Sequence, residues 1–458
     1  MRDIILVTIV LPLAAVALRK PWIGFQLWVW LSLMNPHRYS YGFAYDAPLA
    51  ALAAGTTILG FLFTKERQNP FKTLPVGLLV ALTAWITVSW LMGLDRKGDY
   101  AQWDKVMKIN LLFLLGLALI RTKEQIFVFA WVATLSIALL CSKGGAFTLA
   151  TAGNYRVWGP PGSFVAGNNE FAVATIMTIP LLWFMQLQAT NRVLKHLLLA
   201  MTVLSAVSAV GSHSRGALLA IVAMSLLLWW RGRARLRGAV LMAVIALAML
   251  SMMPEKWFTR MDTIETYQQD ESAMGRINAW WVSWHVAFAY PTGVGFNMAR
   301  PELYAMYAPD PRAPPLVAHS IYFQMLGHHG FLGLFLFLGI WASTWFYAWR
   351  VRQLAAGREE LRWASELAGM CQVALVGYLV GGAFLDLAYF DLPYYIMGLV
   401  LLTYRWVLSR AWETETPPKP VLWRRWMGIV GPASARTGPP IARPLAVSAG
   451  LERPVVHK

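Results

Sequence analysis

Charge is scarce in this sequence. Asp, Glu, Lys and Arg make up 14% of its 458 residues, hydrophobic residues make up 57%, and mean hydropathy is +0.49. A soluble domain uses about 25% charged residues to clothe its surface, so a water-soluble globule is excluded. The apolar residues run in blocks of roughly 15–20 with hardly a charge inside, not in the stripes of a soluble core. Cysteine is scarce too. Cys141 and Cys371 both fall at or within apolar blocks, which excludes a disulfide framework and a cysteine metal cluster and leaves isolated membrane thiols. The first apolar run lacks a small-residue cleavage site. Arg19, Lys20 and Pro21 follow it, so it reads as a retained helix and not a signal peptide.

Acids are outnumbered, 23 against 40 Lys and Arg, for a formal charge of +17. The cations collect in short connections between apolar blocks and in the C-terminal tail. That pattern orients a membrane protein and sets basic segments against anionic headgroups. Membrane lipids are therefore the expected neighbours, and nucleic acid is not.

What the sequence does have is apolar blocks, at 4–18, 22–34, 48–63, 74–94, 106–120, 126–141, 171–187, 193–210, 216–230, 238–253, 331–349, 367–384 and 389–407. They predict an all-α integral membrane protein of about 12 transmembrane helices. Arg231, Arg233, Arg235 and Arg237 crowd one connection and Arg350, Arg352, Arg358 and Arg362 another. Lys65, Arg67 and Lys72, then Arg121 and Lys123, then Arg192 and Lys195, alternate with them, so these connections are cytoplasmic. The stretches 35–47, 95–105, 142–170, 211–215, 254–330 and 385–388 then lie outside. The division is 1–253 N-terminal transmembrane helices, 254–330 one large periplasmic or extracellular loop containing amphipathic helices, 331–410 C-terminal transmembrane helices, and 411–458 a basic, proline-rich tail expected to be disordered. Thirteen spans put Met1 outside and 12 put both ends inside, the short opening pair forming a shallow hairpin in the second case.

Polar groups at a membrane edge are costly to desolvate, so those on the outer side are informative. Arg215, in Gly211-Ser-His-Ser-Arg-Gly216, sits between two blocks with almost no loop. It either snorkels or grips phosphate oxygens with its planar, five-donor fork. Arg276 opens a run with Trp280, Trp281 and Trp284 that reads as an amphipathic helix skimming the membrane. It is either a plain surface cation or an anion ligand at a helix start. His319, in Ala318-His-Ser-Ile-Tyr322, closes the loop; it is structural, or a general base whose pKa suits neutral pH. Arg156, in Asn154-Tyr-Arg156 before Gly159-Pro-Pro-Gly162, adds another external cation. His328 and His329 are adjacent and point about 100° apart on a helix, so no metal site is predicted.

These motifs, in this order around one external loop, resemble the O-antigen ligase family of bacterial polysaccharide transferases, which is related to the O-antigen polymerases. The shared features are Arg156-Val-Trp-Gly159 to Gly167-Asn-Asn169, Ser212-His-Ser-Arg-Gly216, Gly275-Arg276, Pro291-Thr-Gly-Val-Gly295, and His319-Ser320 with Gly330 and Gly333. The opening segment, Leu18-Arg-Lys-Pro-Trp-Ile-Gly24 and Met34-Asn-Pro-His-Arg38, looks like the branch of O-glycosylation ligases associated with exosortase systems. The resemblance runs through about residue 407.

The family implies about 12 helices with the large loop after the ninth, whereas this chain has 10 blocks before it. It implies transfer of a glycan from undecaprenyl pyrophosphate to a sugar hydroxyl of lipid A core in lipopolysaccharide biosynthesis. The reaction takes place at the periplasmic face of the bacterial inner membrane, without metal, nucleotide or other cofactor. By the same resemblance Arg215 and Arg276 hold the pyrophosphate, Arg156 is a further candidate for that anion, and His319 activates the acceptor hydroxyl. Direct displacement then inverts the anomeric centre. Two alternatives stay open: a protein O-glycosylation ligase or O-antigen polymerase with the same donor, and a polysaccharide-lipid transporter or flippase. The last predicts charges near the bilayer midplane and broken helices there.

Overall fold

A computed structural model of the chain describes residues 1–231, 255, 271–416 and 418–429. Among them the regular structure is helical, with no strand. The principal helices are α1 (Arg2–Ala17), α2 (Pro21–Met34), α3 (Leu49–Phe63), α4 (Leu74–Met92), α5 (Arg96–Leu119), α6 (Lys123–Ala150), α7 (Asn168–Gln188), α8 (Arg192–Gly211) and α9 (Arg215–Arg231). After residue 270 follow α10 (Glu271–Ala289), α11 (Pro301–Tyr307), α12 (Ile321–Ala355), α13 (Arg362–Gly381) and α14 (Asp391–Leu408).

Six described helical segments are long and apolar enough to cross a membrane: Leu74–Met92, Lys123–Ala150, Asn168–Gln188, Arg192–Gly211, Ile321–Ala355 and Glu359–Phe384. The other expected spans fall on α1, α2, α3, α9 and α14, of 16, 14, 15, 17 and 18 residues, and on α5, whose first half carries Arg96, Lys97, Asp99, Asp104, Lys105 and Lys108. The block 238–253 lies outside the described residues.

The connections sort to two ends of the bundle. At one end Asp3 Oδ1 accepts from the amides of Gly42 and Ala44, so Met1 lies beside the 35–47 connection. At the opposite end Arg19 and Lys20 line a cavity with Lys65 and Glu66. The opening pair thus runs from one end of the bundle to the other and back.

α14 is buried almost all round, as a helix at the centre of a bundle must be. Tyr395 on it packs against Phe25 and Phe129 at ring distances of 6.2 and 5.8 Å. Trp28 buries its indole and donates to the Tyr395 hydroxyl at 3.1 Å. Small residues set the closest helix approach: any side chain at Gly145 on α6 would collide with the Leu204 backbone of α8.

The tail departs from the expected disorder over its first part. Two short helices, Ala411–Thr414 and Leu422–Trp426, pack back on the bundle. Arg424 meets Glu124 at 2.7 Å, and the Thr190 amide donates to Trp426 O at 3.0 Å. The composition that signals disorder is offset here by a half-buried ion pair and a capped backbone.

Candidate active site

α8 ends and α9 begins within the Ser212-His-Ser-Arg-Gly216 motif. His213 takes φ 57° to make so tight a turn. Its Nε2 donates to Gly153 O at 2.9 Å, Asn168 Nδ2 donates to Ser212 O at 2.8 Å, and the Ala217 amide donates to Ser214 Oγ at 3.3 Å, capping α9. Arg215, half-buried, is therefore in the first turn of α9. A cation there opposes the helix dipole, while an anion beside it is favoured by guanidinium and dipole together. Arg156 is exposed at the same end, next to Val157, whose amide donates to Gly211 O at 3.2 Å.

The start of α9 touches the turn that follows α13: a methyl on Gly216 would meet Phe384 at 3.4 Å. Two residues on, Asp386 Oδ2 lies 3.1 Å from His319 Nδ1, both side chains partly open at 21% and 33% exposure. A carboxylate only accepts, so in a hydrogen bond between the two Nδ1 is the donor. An imidazole beside a carboxylate is an arrangement that can serve general-base chemistry. His319 sits at φ 44°, a conformation that costs a non-glycine residue energy and is held by its surroundings. The preceding carbonyl, Ala318 O, accepts from Trp280 Nε1 at 2.8 Å, and Ser320 N-caps α12 with its carbonyl taken by Gln324 N at 2.7 Å.

Trp280 lies on α10, one turn from Arg276. α10 is already helical at Glu271, so Arg276 lies beyond the first turn and not at a helix start as its sequence context predicts. The Ala-Met pair ahead of Gly275 favours helix and extends it backwards. Gly275 lets the 308–318 strap close over α10, since a side chain there would meet Leu316 at 2.6 Å. Tyr304 clamps the strap by donating to Leu316 O at 2.7 Å. α10 keeps Met274, Trp281, Trp284 and Phe288 exposed and buries Ala279, Val282 and Val286, so its outward face is apolar, as a membrane-skimming helix requires. The start of α9, the turn after α13, the residues before α12 and α10 thus adjoin one another in that order.

The Pro291-Thr-Gly-Val-Gly295 motif fills a break in α12. Gly330 leaves the helix at φ 66°, ψ −172°. The carbonyls freed there take new donors: Gly327 O from Val294 N at 3.4 Å, His328 O from Gly295 N at 3.2 Å and His329 O from Trp85 Nε1 at 2.8 Å. Gly293 and Gly330 interlock so closely that a Cβ on either would strike the other segment's backbone. Inside the break, His328 Nδ1 and His329 Nε2 both reach the Tyr389 hydroxyl, at 2.9 and 2.7 Å. The two rings diverge along the helix but meet one oxygen because each uses a different nitrogen. Among the described residues no group of three His, Cys, Asp or Glu converges as metal ligands would.

Asp386 is the residue that sequence reasoning missed. Its one signal is a lone acid in a four-residue connection between apolar blocks; its partner stands 67 positions earlier. Asp99 is a second. Its Oδ2 accepts from Phe296 N at 2.8 Å, and burial pushes the carboxyl above the usual range against the opposing pull of that amide and Arg300.

Two known families match parts of the chain. Residues 1–190 match a family of unknown function (DUF5935), and 200–338 match the family described as O-antigen ligase. No curated protein matches the chain. The second match takes in Arg215, Arg276, Pro291–Gly295 and His319, while Asp386 and Arg156 fall outside it. Residues 200–338 are thus similar to the O-antigen ligase family, within a multi-pass helical membrane protein.

Proposed function

We propose that this chain is an inverting glycosyltransferase of the O-antigen ligase type in the bacterial inner membrane. It moves a glycan from undecaprenyl pyrophosphate to a sugar hydroxyl of lipid A core at the periplasmic face. The observation that carries the reading is the His319–Asp386 pair, with His319 inside the stretch that matches the O-antigen ligase family.

In the reaction the acceptor oxygen attacks the anomeric carbon and its proton passes to His319 Nε2. The bond from that carbon to the diphosphate oxygen breaks, and the electron pair leaves with the diphosphate. Asp386 holds the imidazole in the accepting tautomer and stabilises the imidazolium. The leaving group is weakly basic, so it needs charge stabilisation more than a proton, and the guanidiniums of Arg215 and Arg276 supply it, with Arg156 at the rim. The apolar face of α10 receives the lipid side. The break in α12 does not favour transport, because Val294, Gly295 and Trp85 occupy the carbonyls that a translocated ion would need.

The test is reconstitution of the purified protein in liposomes with an undecaprenyl pyrophosphate-linked glycan and lipid A core. Lipid A core bearing the glycan with inverted anomeric configuration is expected. Glycan found on polypeptide or on a growing polymer would move the assignment to those acceptors. Movement of the lipid-linked glycan across the bilayer without any acceptor would contradict transfer.

A further inference from the structure

Next to the His319–Asp386 pair is a cavity of about 260 Å³ whose lining includes Asp99, Gln102, Asn297, Gln324, Asp386 and Tyr389. We propose that it binds one sugar ring of the acceptor by its hydroxyls, a subsite that rests on the transferase reading above. The argument is one of charge. None of the ten lining residues is Lys or Arg and two are carboxylates; Arg300, behind Asn297, offsets part of the Asp99 charge, and the lining still disfavours a diphosphate while hydroxyls find acceptors. The donor's anion and the acceptor's hydroxyls are thereby sorted to different walls, arginines for the first and carboxylates with amides for the second.

The polar groups are fixed in place. Asp99 is held by the Phe296 amide, and Gly295, at φ 99°, is the residue that admits its carboxylate so close to the backbone. Gln324 Oε1 accepts from Ala388 N at 3.1 Å, which turns its amide nitrogen into the available donor. Phe296 and Tyr389, with ring centroids 5.3 Å apart, give the apolar surface that the C–H face of a sugar covers. The volume is below the roughly 300–1,000 Å³ of drug-sized sites, which suits a single ring. Because Asp386 both borders the cavity and lies 3.1 Å from His319 Nδ1, a ring bound here is one carboxylate away from the imidazole.

The experiment uses the full-length protein in detergent and core oligosaccharide freed from lipid A as probe, with binding read by calorimetry in the absence of donor. Gln102→Leu and Asn297→Leu should each weaken binding about ten-fold, the scale of one lost hydrogen bond in a dry site. Val317→Trp, at the 45% exposed rim, should block it without touching a buried group, which covers the case of a polar variant that fails to fold. Inorganic pyrophosphate binding should be unchanged in all three and lost in Arg215→Ala, which should keep oligosaccharide binding. Wild-type-like oligosaccharide binding in the three variants, loss of pyrophosphate binding in them, or no oligosaccharide binding by the wild type would each overturn the subsite. A wild type that binds oligosaccharide but transfers no glycan would instead contradict the transferase reading and leave the subsite standing.

Discussion

The two polar ends of the bundle use their charges differently. At the basic end Arg424 meets Glu124 at 2.7 Å, Arg362 meets Glu366 at 2.9 Å, and Arg405 donates to the carbonyls of Leu117 and Asn69. Arg424 and Arg405 tie helix ends and the tail together, while Arg362 pairs within α13. At the other end His213, His319, His328, His329, Asp99, Asp386 and Tyr389 gather with the cations Arg156, Arg215 and Arg276, with positive φ at His213, His319, Gly293, Gly295 and Gly330. Backbone strain of this kind persists only where neighbours hold it, and it concentrates at sites with a task. The comparison separates arginines that staple the fold from groups arranged around a cavity.

Substitutions at the two ends should therefore fail differently. The largest expected effect is on transfer. His319→Ala should cost roughly 10²–10⁴-fold, the range of a general base, and Arg215→Ala and Arg276→Ala roughly 10²–10³-fold each as transition-state charge is lost, all with membrane insertion intact in a purified transfer assay. Next comes Gly330→Ala, which forces a side chain into the Pro291 carbonyl and a disfavoured φ. It should cost about 1–3 kcal/mol from the backbone alone and depress both melting temperature and transfer. The smallest effect belongs to the basic end: Arg424→Ala, removing a pair whose side chains are 21% and 17% exposed, should cost about 1 kcal/mol or less of stability and leave the transfer rate unchanged. A transfer defect in Arg424→Ala equal to that of Arg215→Ala would break the contrast between the ends.

Much of the fold was legible because lipid imposes its own pattern: apolar blocks mark helices wherever they face hydrocarbon or each other, and Lys and Arg mark one end. Arg215 and His319 stood out because a polar residue at a membrane edge is costly. The pairing of His319 with Asp386 was not legible, since it depends on how the end of α13 meets the start of α12 across 67 residues. The Pro291–Gly295 turn was visible as a turn, but its use as a plug for the break at Gly330 is a tertiary fit that no local spacing carries. The start of α10 was misplaced because a Gly-Arg pair resembles a helix boundary until Leu316 is seen to pack on that glycine.

The central claim is that His319 and Asp386 act as one unit. Its most direct test is a cycle of His319→Ala, Asp386→Asn and the double variant in the purified transfer assay. The account predicts that Asp386→Asn slows the wild type and adds nothing to His319→Ala. Losses that multiply in the double variant, or a His319→Ala protein with the wild-type rate, would contradict it.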